Sequence, residues 1–237
     1  YSFDEAVSPM IVYSSAITPR LQYACDFIGK ELTGKAFQLT NRMIEFREYP
    51  GPRINYSHET VVDDELRLEP GSLLFEKGIV QQAVDCFTVG GHKVFFRTNG
   101  DLPFDIFAAT FYLLSRYEEY LPHQKDDYGR YAHENLLAFR EGFLGKPLVN
   151  IWLKDMKELL LYKFPDSRLL TPDFSFLPTY DIDEAYSFKH KQWWQSAGAA
   201  VKDLLKGKFN RFAERRKVVD GKNPDPFDAY AWMNDLH

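Results

Sequence analysis

Cysteine is scarce in this sequence: 237 residues contain two, Cys25 and Cys86. Neither belongs to a Cys-x-x-Cys pair, so a cysteine zinc site is excluded, and two isolated thiols do not make a disulfide framework. Both sit in apolar surroundings ("YACDF", "VDCFTV"), which predicts buried thiols in a reducing compartment. A basic excess is lacking too, since 29 Lys and Arg stand against 34 Asp and Glu, interleaved along the chain for a net charge of −5. Nucleic-acid proteins need a concentrated basic face to meet phosphates, so that class is set aside. The one basic stretch, "KGKFNRFAERRK" at 206–217, reads as a solvated amphipathic helix. No window approaches the ~20 apolar residues of a membrane-spanning helix. The opening "YSFDEAVSPMIVYSS" has neither the basic start nor the apolar stretch of a signal peptide. A soluble, cytoplasmic protein is expected, with residues upstream of a first position that is not Met. Internal repeats and low-complexity tracts are also missing.

What is present is an ordinary globular composition, 45% hydrophobic and 27% charged, which excludes disorder. The aromatic share of 16% suits a packed interior and equally a sugar- or partner-facing surface. "MIVYSS" (10–15) predicts a strand. Thr18 and Pro19 then predict a helix start, Leu21, Ala24, Cys25, Ile28 and Leu32 recur at helical spacing, and Gly34 ends the element. Strand, turn and helix in that order open an α/β layer. "AFQLT", "RINYS", "SLLFE" and "HKVFFRT" are further candidate strands, separated by "YPGP", "EPG" and "VGG"; "GIVQQAV" fits a helix or a strand. A central buried helix is expected over 102–122, between Pro103 and Pro122, and an amphipathic one over 148–164. Two prolines in "FPDSRLLTPDFSF" mark a linker. The expectation is an α/β domain with a mixed sheet over 1–172 and a second segment over 173–237, which carries a helix around 192–206, a basic helix around 209–219 and a short one ending at His237.

The second segment begins with "FLPTYDIDEAYSFKHK" (176–191), read as a strand running into a loop. Side chains at i and i+2 share a face of an extended chain, so Asp181 and Asp183 can converge on a divalent cation, one ligating while the other serves as a base. The pattern is inexpensive, because 19 aspartates supply roughly one or two such pairs by chance. An acidic loop or helix cap therefore remains open beside the metal reading. A phosphatase of the haloacid-dehalogenase type would want Thr or Val where Ala185 stands. A glycosyltransferase would use the pair to hold a metal and a nucleotide-sugar diphosphate.

The run "PTYDIDEAYSFKHK" resembles the first motif of the polysaccharide deacetylase family, and specifically a Bacteroidetes-type branch in which an α/β region precedes the deacetylase barrel. The resemblance also draws on "PRLQYACDFIGKEL", "RINYS", "LPFDIFAATFYLLSRYEEYLP", "YGRYAHENLLAFREGFLGKPLVNIW" and "DPFDAYAWMNDLH". It implies the opening of a distorted (β/α) barrel, incomplete in 173–237, in a protein that removes acetyl groups from amino sugars in cell-surface glycan metabolism. Asp181 would be the general base, Asp183 a ligand to zinc or a similar metal, and a glycan the partner. Thr179 and Tyr180 would shape the strand end. Two departures matter: Ile182 separates aspartates that are usually adjacent, and the family's His-x-x-x-His motif is absent. Only His190 and His237 follow the aspartates, short of the three protein ligands of a catalytic zinc. The chain by itself is expected to be inactive, either the front of a longer enzyme or a relative without its active half.

The other histidines, His58, His92, His123 and His133, read as hydrogen-bonded structural residues. "DDYGRYAHE" (126–134) is assigned to packing and turn formation, and Arg116, Glu118 and Glu119 to a solvated helix end. The second class of function, a glycan- or protein-binding module over 1–172, stays open.

Overall fold

The computed structural model describes residues 9–171, 175–190, 198, 202, 205, 207 and 209–236. The chain divides into two compact units, Tyr1–Pro172 and Asp173–His237.

The first unit is α/β. Its main sheet has the order β2 (Gln38–Thr40), β1 (Ile11–Tyr13), β3 (Arg53–Tyr56), β4 (Leu66–Leu68), with every pairing parallel. The expected mixed sheet is thus corrected: the antiparallel pair, β5 (Phe87–Val89) with β6 (His92–Val94), is a separate hairpin turned by Gly90 and Gly91 at φ 56° and 82°. All of β1 is buried because both faces of the sheet are covered, the usual condition of parallel strands. Val12 points into the main core with helix α1 (Pro19–Thr33), whereas Ile11 and Tyr13 meet Phe46 of α2 (Met43–Glu48) on the other side.

α1 follows its sequence signals. The Thr18 hydroxyl accepts from the Leu21 N–H at 3.1 Å, Pro19 occupies the first turn, and Gly34 closes the helix at φ 73°. Gly29 is required by proximity, since a Cβ there would lie 2.5 Å from Phe37 N and 2.8 Å from Lys35 O, backbone atoms of the chain returning to β2. Gly29→Ala is expected to cost about 2 kcal/mol through this overpacking, read as a lower urea midpoint with an unchanged m-value.

The central helix is shorter than the sequence predicts. α3 spans Ile106–Leu114, because residues before it are extended, with Asp105 N–H donating to Phe96 O and Thr98 N–H to Pro103 O. It stops because Arg116 turns left-handed (φ 52°) and Tyr117–Tyr120 forms a 3-10 turn. That break drops Tyr117 into the core, where its hydroxyl accepts from Val80 N–H (2.8 Å) and donates to Val80 O (3.0 Å). These bonds fix "GIVQQAV" as irregular chain. "SLLFE" is likewise a turn, with Phe75 and Glu76 N–H both reaching Ser72 O. α5 (Leu148–Lys163) follows a short helix α4 (Leu137–Arg140) and ends one residue before the expected 164. Cys25 is buried and Cys86 half-buried, both free.

In the second unit the described residues 175–186 run without regular structure, so the strand expected at the start of "FLPTYDIDEAYSFKHK" is not formed. The basic helix is present as Phe209–Val219, with Arg215 buried 4.8 Å over the Phe188 ring, and a short helix spans Tyr230–Asp235. The helix expected around 192–206 lies largely outside the described residues, as does His237. No helix among the described residues is long and apolar enough to cross a membrane.

Candidate functional site

Asp181 and Asp183 lie on the exposed stretch of the second unit, flanked by Tyr180 and Ile182 at 46% and 43% exposure. Just beyond them the chain becomes rigid. Asp225, 3% exposed, accepts from the N–H groups of Ser187 (2.8 Å), Phe188 (2.8 Å), Lys189 (2.9 Å) and Phe227 (3.0 Å). The "DPFD" turn is thereby bound to the loop following the aspartate pair. Lys189 adds an ion pair to Asp228 at 3.6 Å, and Tyr186 packs on His190 (4.7 Å) and Tyr230 (5.9 Å). His190 is held at φ 57° with its ring against Tyr186.

Burial would raise the Asp225 carboxyl, but the four backbone donors outweigh it and hold it at about 2. A carboxyl depressed in the folded state contributes stability above its unfolded value, near 3.8, and loses it as pH falls through the folded one. The Ser187, Phe188 and Lys189 amide resonances should shift together with a midpoint near pH 2, and Asp225→Ala should abolish the transition. A midpoint at the ordinary carboxylate value contradicts the clamp.

Among the described residues no three His, Cys, Asp or Glu side chains gather closely enough to hold a metal ion. Asp181, Asp183 and His190 are therefore not assembled into a centre, and the described donor set does not by itself fit a catalytic metal, which takes three protein ligands.

Open parallel sheets usually take ligands at the carboxyl ends of their strands, where the order reverses, here between β1 and β3. Segment 71–78 packs over that position. Thr18 Oγ donates to Leu74 O (2.6 Å), Arg20 donates to Leu73 O (2.7 Å) and to Gly78 O, and Gly71 N–H donates to Asp105 (2.7 Å). At the opposite end of the sheet a cavity of about 630 Å³ includes Arg53, Asp64, Lys163 and Ser167. Its cations are engaged: Arg53 with Asp64 (3.5 Å) and Arg47 O (3.0 Å), Lys163 with Glu65 O and Asp101 (both 2.8 Å).

A second cavity, of about 470 Å³, opens beside the 3-10 turn after α3. Glu118, whose side chain is 12% exposed, accepts from Leu137 N–H through both oxygens (2.9 and 3.2 Å) and lies 3.8 Å from Arg140. Burial pushes its carboxyl above the ordinary range, opposed by the Leu137 N–H and Arg140. Gln124 and Asn135 clamp the rim: Gln124 N–H donates to Asn135 Oδ1 (3.1 Å) and Asn135 Nδ2 donates to Gln124 O (2.9 Å). Asp126 accepts from Tyr128 and Arg130 N–H (both 2.9 Å), so "DDYGRYAHE" does form a turn. The sequence placed Glu118 on a solvated helix end; the left-handed Arg116, which turns it inward, leaves no signal in residue type.

Residues 10–165, about two thirds of the chain and all within the first unit, match a family described as a family of unknown function (DUF7033). No curated protein and no solved structure is significantly similar to the chain. The extent of that match makes the chain a member of the DUF7033 family.

Proposed function

We propose that the chain is the N-terminal portion of a metal-dependent deacetylase of N-acetylated polysaccharides, with the DUF7033 region preceding the opening of the catalytic barrel. The observation that carries this reading is "PTYDIDEAYSFKHK", with both aspartates solvent-facing beside a loop that Asp225 makes rigid. Asp181 would be the proton acceptor and Asp183 would be an oxygen donor to zinc or a similar divalent metal, which would need further donors beyond this pair. Support comes also from Phe176 and Leu177, 77% and 85% exposed, and Leu236, 57% exposed, which line a cavity of about 450 Å³ with Pro178 and Tyr180. Such apolar side chains are ones that further barrel elements would cover. The activity belongs to the protein with those elements, not to residues 1–237 alone.

The experiment is acetate release from N-acetylated oligosaccharides by the natural full-length protein, with and without chelator. Asp181→Ala is expected to lower the rate by at least about 100-fold, the usual worth of a positioned proton-transfer group. Absence of metal-dependent release overturns the reading. The cytoplasm is the proposed compartment, supported by the two free thiols; recovery of the protein in an extracytoplasmic fraction contradicts it.

A further inference from the structure

We propose that the cavity around Glu118 is a saccharide-binding site of the first unit, distinct from the aspartates of the second. Its chemistry selects against other ligand classes. The Glu118 carboxylate and the Arg140 guanidinium lie 3.8 Å apart and largely cancel, and the other charged side chain of the lining is the Glu134 carboxylate, 61% exposed, so a phosphate finds no uncompensated cation there. The remaining polar groups are of mixed character: the Tyr131 hydroxyl, the Gln81, Gln82, Gln124 and Asn135 amides and the His123 ring. His123 Nδ1 lies 2.8 Å from Leu121 O, a contact that calls for the Nδ1–H tautomer, in which Nε2 is an acceptor. Sugar hydroxyls both donate and accept, and a wall offering both in close succession is their complement. A hydroxyl donating to the half-buried Glu118 makes a charge-assisted bond in a poorly screened place.

The apolar part of the site also fits. Tyr112 is 3% exposed and forms part of the lining, and Tyr131 packs against His123 at a centroid distance of 4.7 Å with the rings tilted by 51°. Amphipathic rings of this kind offer an apolar face and a polar tip to a ligand that has both. The volume, about 470 Å³, lies in the range of small-molecule sites, ~300–1,000 Å³.

The walls are set before any ligand arrives. Glu118 is fixed by Leu137 N–H, the loops 121–124 and 131–135 are cross-bonded, and Lys125 bridges Tyr131 across the turn. The strained Arg116 backbone is of the sort that persists when surrounding structure over-determines it, and such strain clusters at functional sites. Preformed walls lower the entropic cost of binding.

The choice of N-acetylated sugars as first probe rests on the proposed function; the polyol chemistry of the cavity does not. The 237-residue chain is titrated calorimetrically with N-acetylglucosamine, maltose, cellobiose and xylose oligomers. At least one is expected to bind, with Glu118→Gln and Tyr131→Ala each weakening it about tenfold, or ~1.4 kcal/mol. Arg140→Ala, on a side chain 60% exposed, gives a third variant that leaves the core intact, and it should weaken binding too. Lack of binding across all four series, or binding untouched by the three cavity variants, overturns the proposal. Acetate release is read separately, so saccharide binding without deacetylation refutes only the enzymatic reading, and deacetylation without binding by this chain refutes only the cavity.

Discussion

Asp105→Ala is expected to destabilise the first unit by about 3 kcal/mol at neutral pH, from the loss of a helix cap and two orphaned donors. Asp105 is fully buried and joins three segments. One oxygen caps α3 by accepting from Ala108 N–H at 3.0 Å; the other accepts from the Tyr56 hydroxyl at the end of β3 and from Gly71 N–H, both at 2.7 Å. Alanine leaves the buried Tyr56 hydroxyl and the half-buried Gly71 N–H without this acceptor. Part of that loss is offset, because a carboxylate no longer has to be kept out of water.

The same carboxyl has a pH signature. Burial raises it above its ordinary value of 3.8, against the pull of Ala108, Gly71 and Tyr56. A raised carboxyl binds its proton more readily in the folded state, so its stabilising contribution is full below the unfolded value and is lost as pH rises through the folded one. Asp105→Asn removes that slope. The stability of the wild type in urea relative to Asp105→Asn should therefore fall as pH rises above 3.8. A pH-independent difference contradicts a buried titrating Asp105.

Trp152→Ala is expected to cost more, about 4 kcal/mol, and to lower the midpoint of thermal unfolding of the first unit by about 8–16 °C. Trp152 lies on the inner face of α5 at 1% exposure, with Phe95 and Phe104 edge-to-face at 5.7 and 5.4 Å. Its indole N–H donates to Lys93 O at 3.0 Å, tying α5 to the β5–β6 hairpin. Alanine removes the ring, leaves a cavity among aromatics that cannot collapse into it, and strips a carbonyl of its donor. Trp152→Phe keeps most of the volume and should cost roughly half as much. Equal losses in the two variants would assign the effect to the hydrogen bond instead of the packing.

Local signals made α1 and α5 legible: in α1 a cap, a proline, a terminal glycine and helical spacing agreed, and in α5 amphipathic spacing agreed with the stop before Pro165. β1, β2 and β3 showed as short β-branched and aromatic runs. What stayed hidden depends on partners far away in sequence. "SLLFE" has a strand's composition, yet Leu73 and Leu74 are buried in a turn whose carbonyls are taken by Arg20 and Thr18, over 50 residues earlier. α3 continues as a helix by propensity and stops because Tyr117 reaches Val80. β4 escaped notice because "LRL" is too short to signal, and only its pairing with β3 makes it a strand. In the second unit, the type and spacing of Asp181 and Asp183 were plain in the sequence, whereas the buried Asp225 that steadies the next loop appeared there as one more turn residue.

The central claim, that Asp181 and Asp183 belong to a glycan deacetylase, is tested most directly by acetate release from an N-acetylglucosamine oligomer by the natural full-length protein. Release is expected that a chelator abolishes, zinc or a similar metal restores, and Asp181→Ala reduces by at least about 100-fold. Release that survives both chelation and Asp181→Ala, or no release in metal-replete protein, contradicts it.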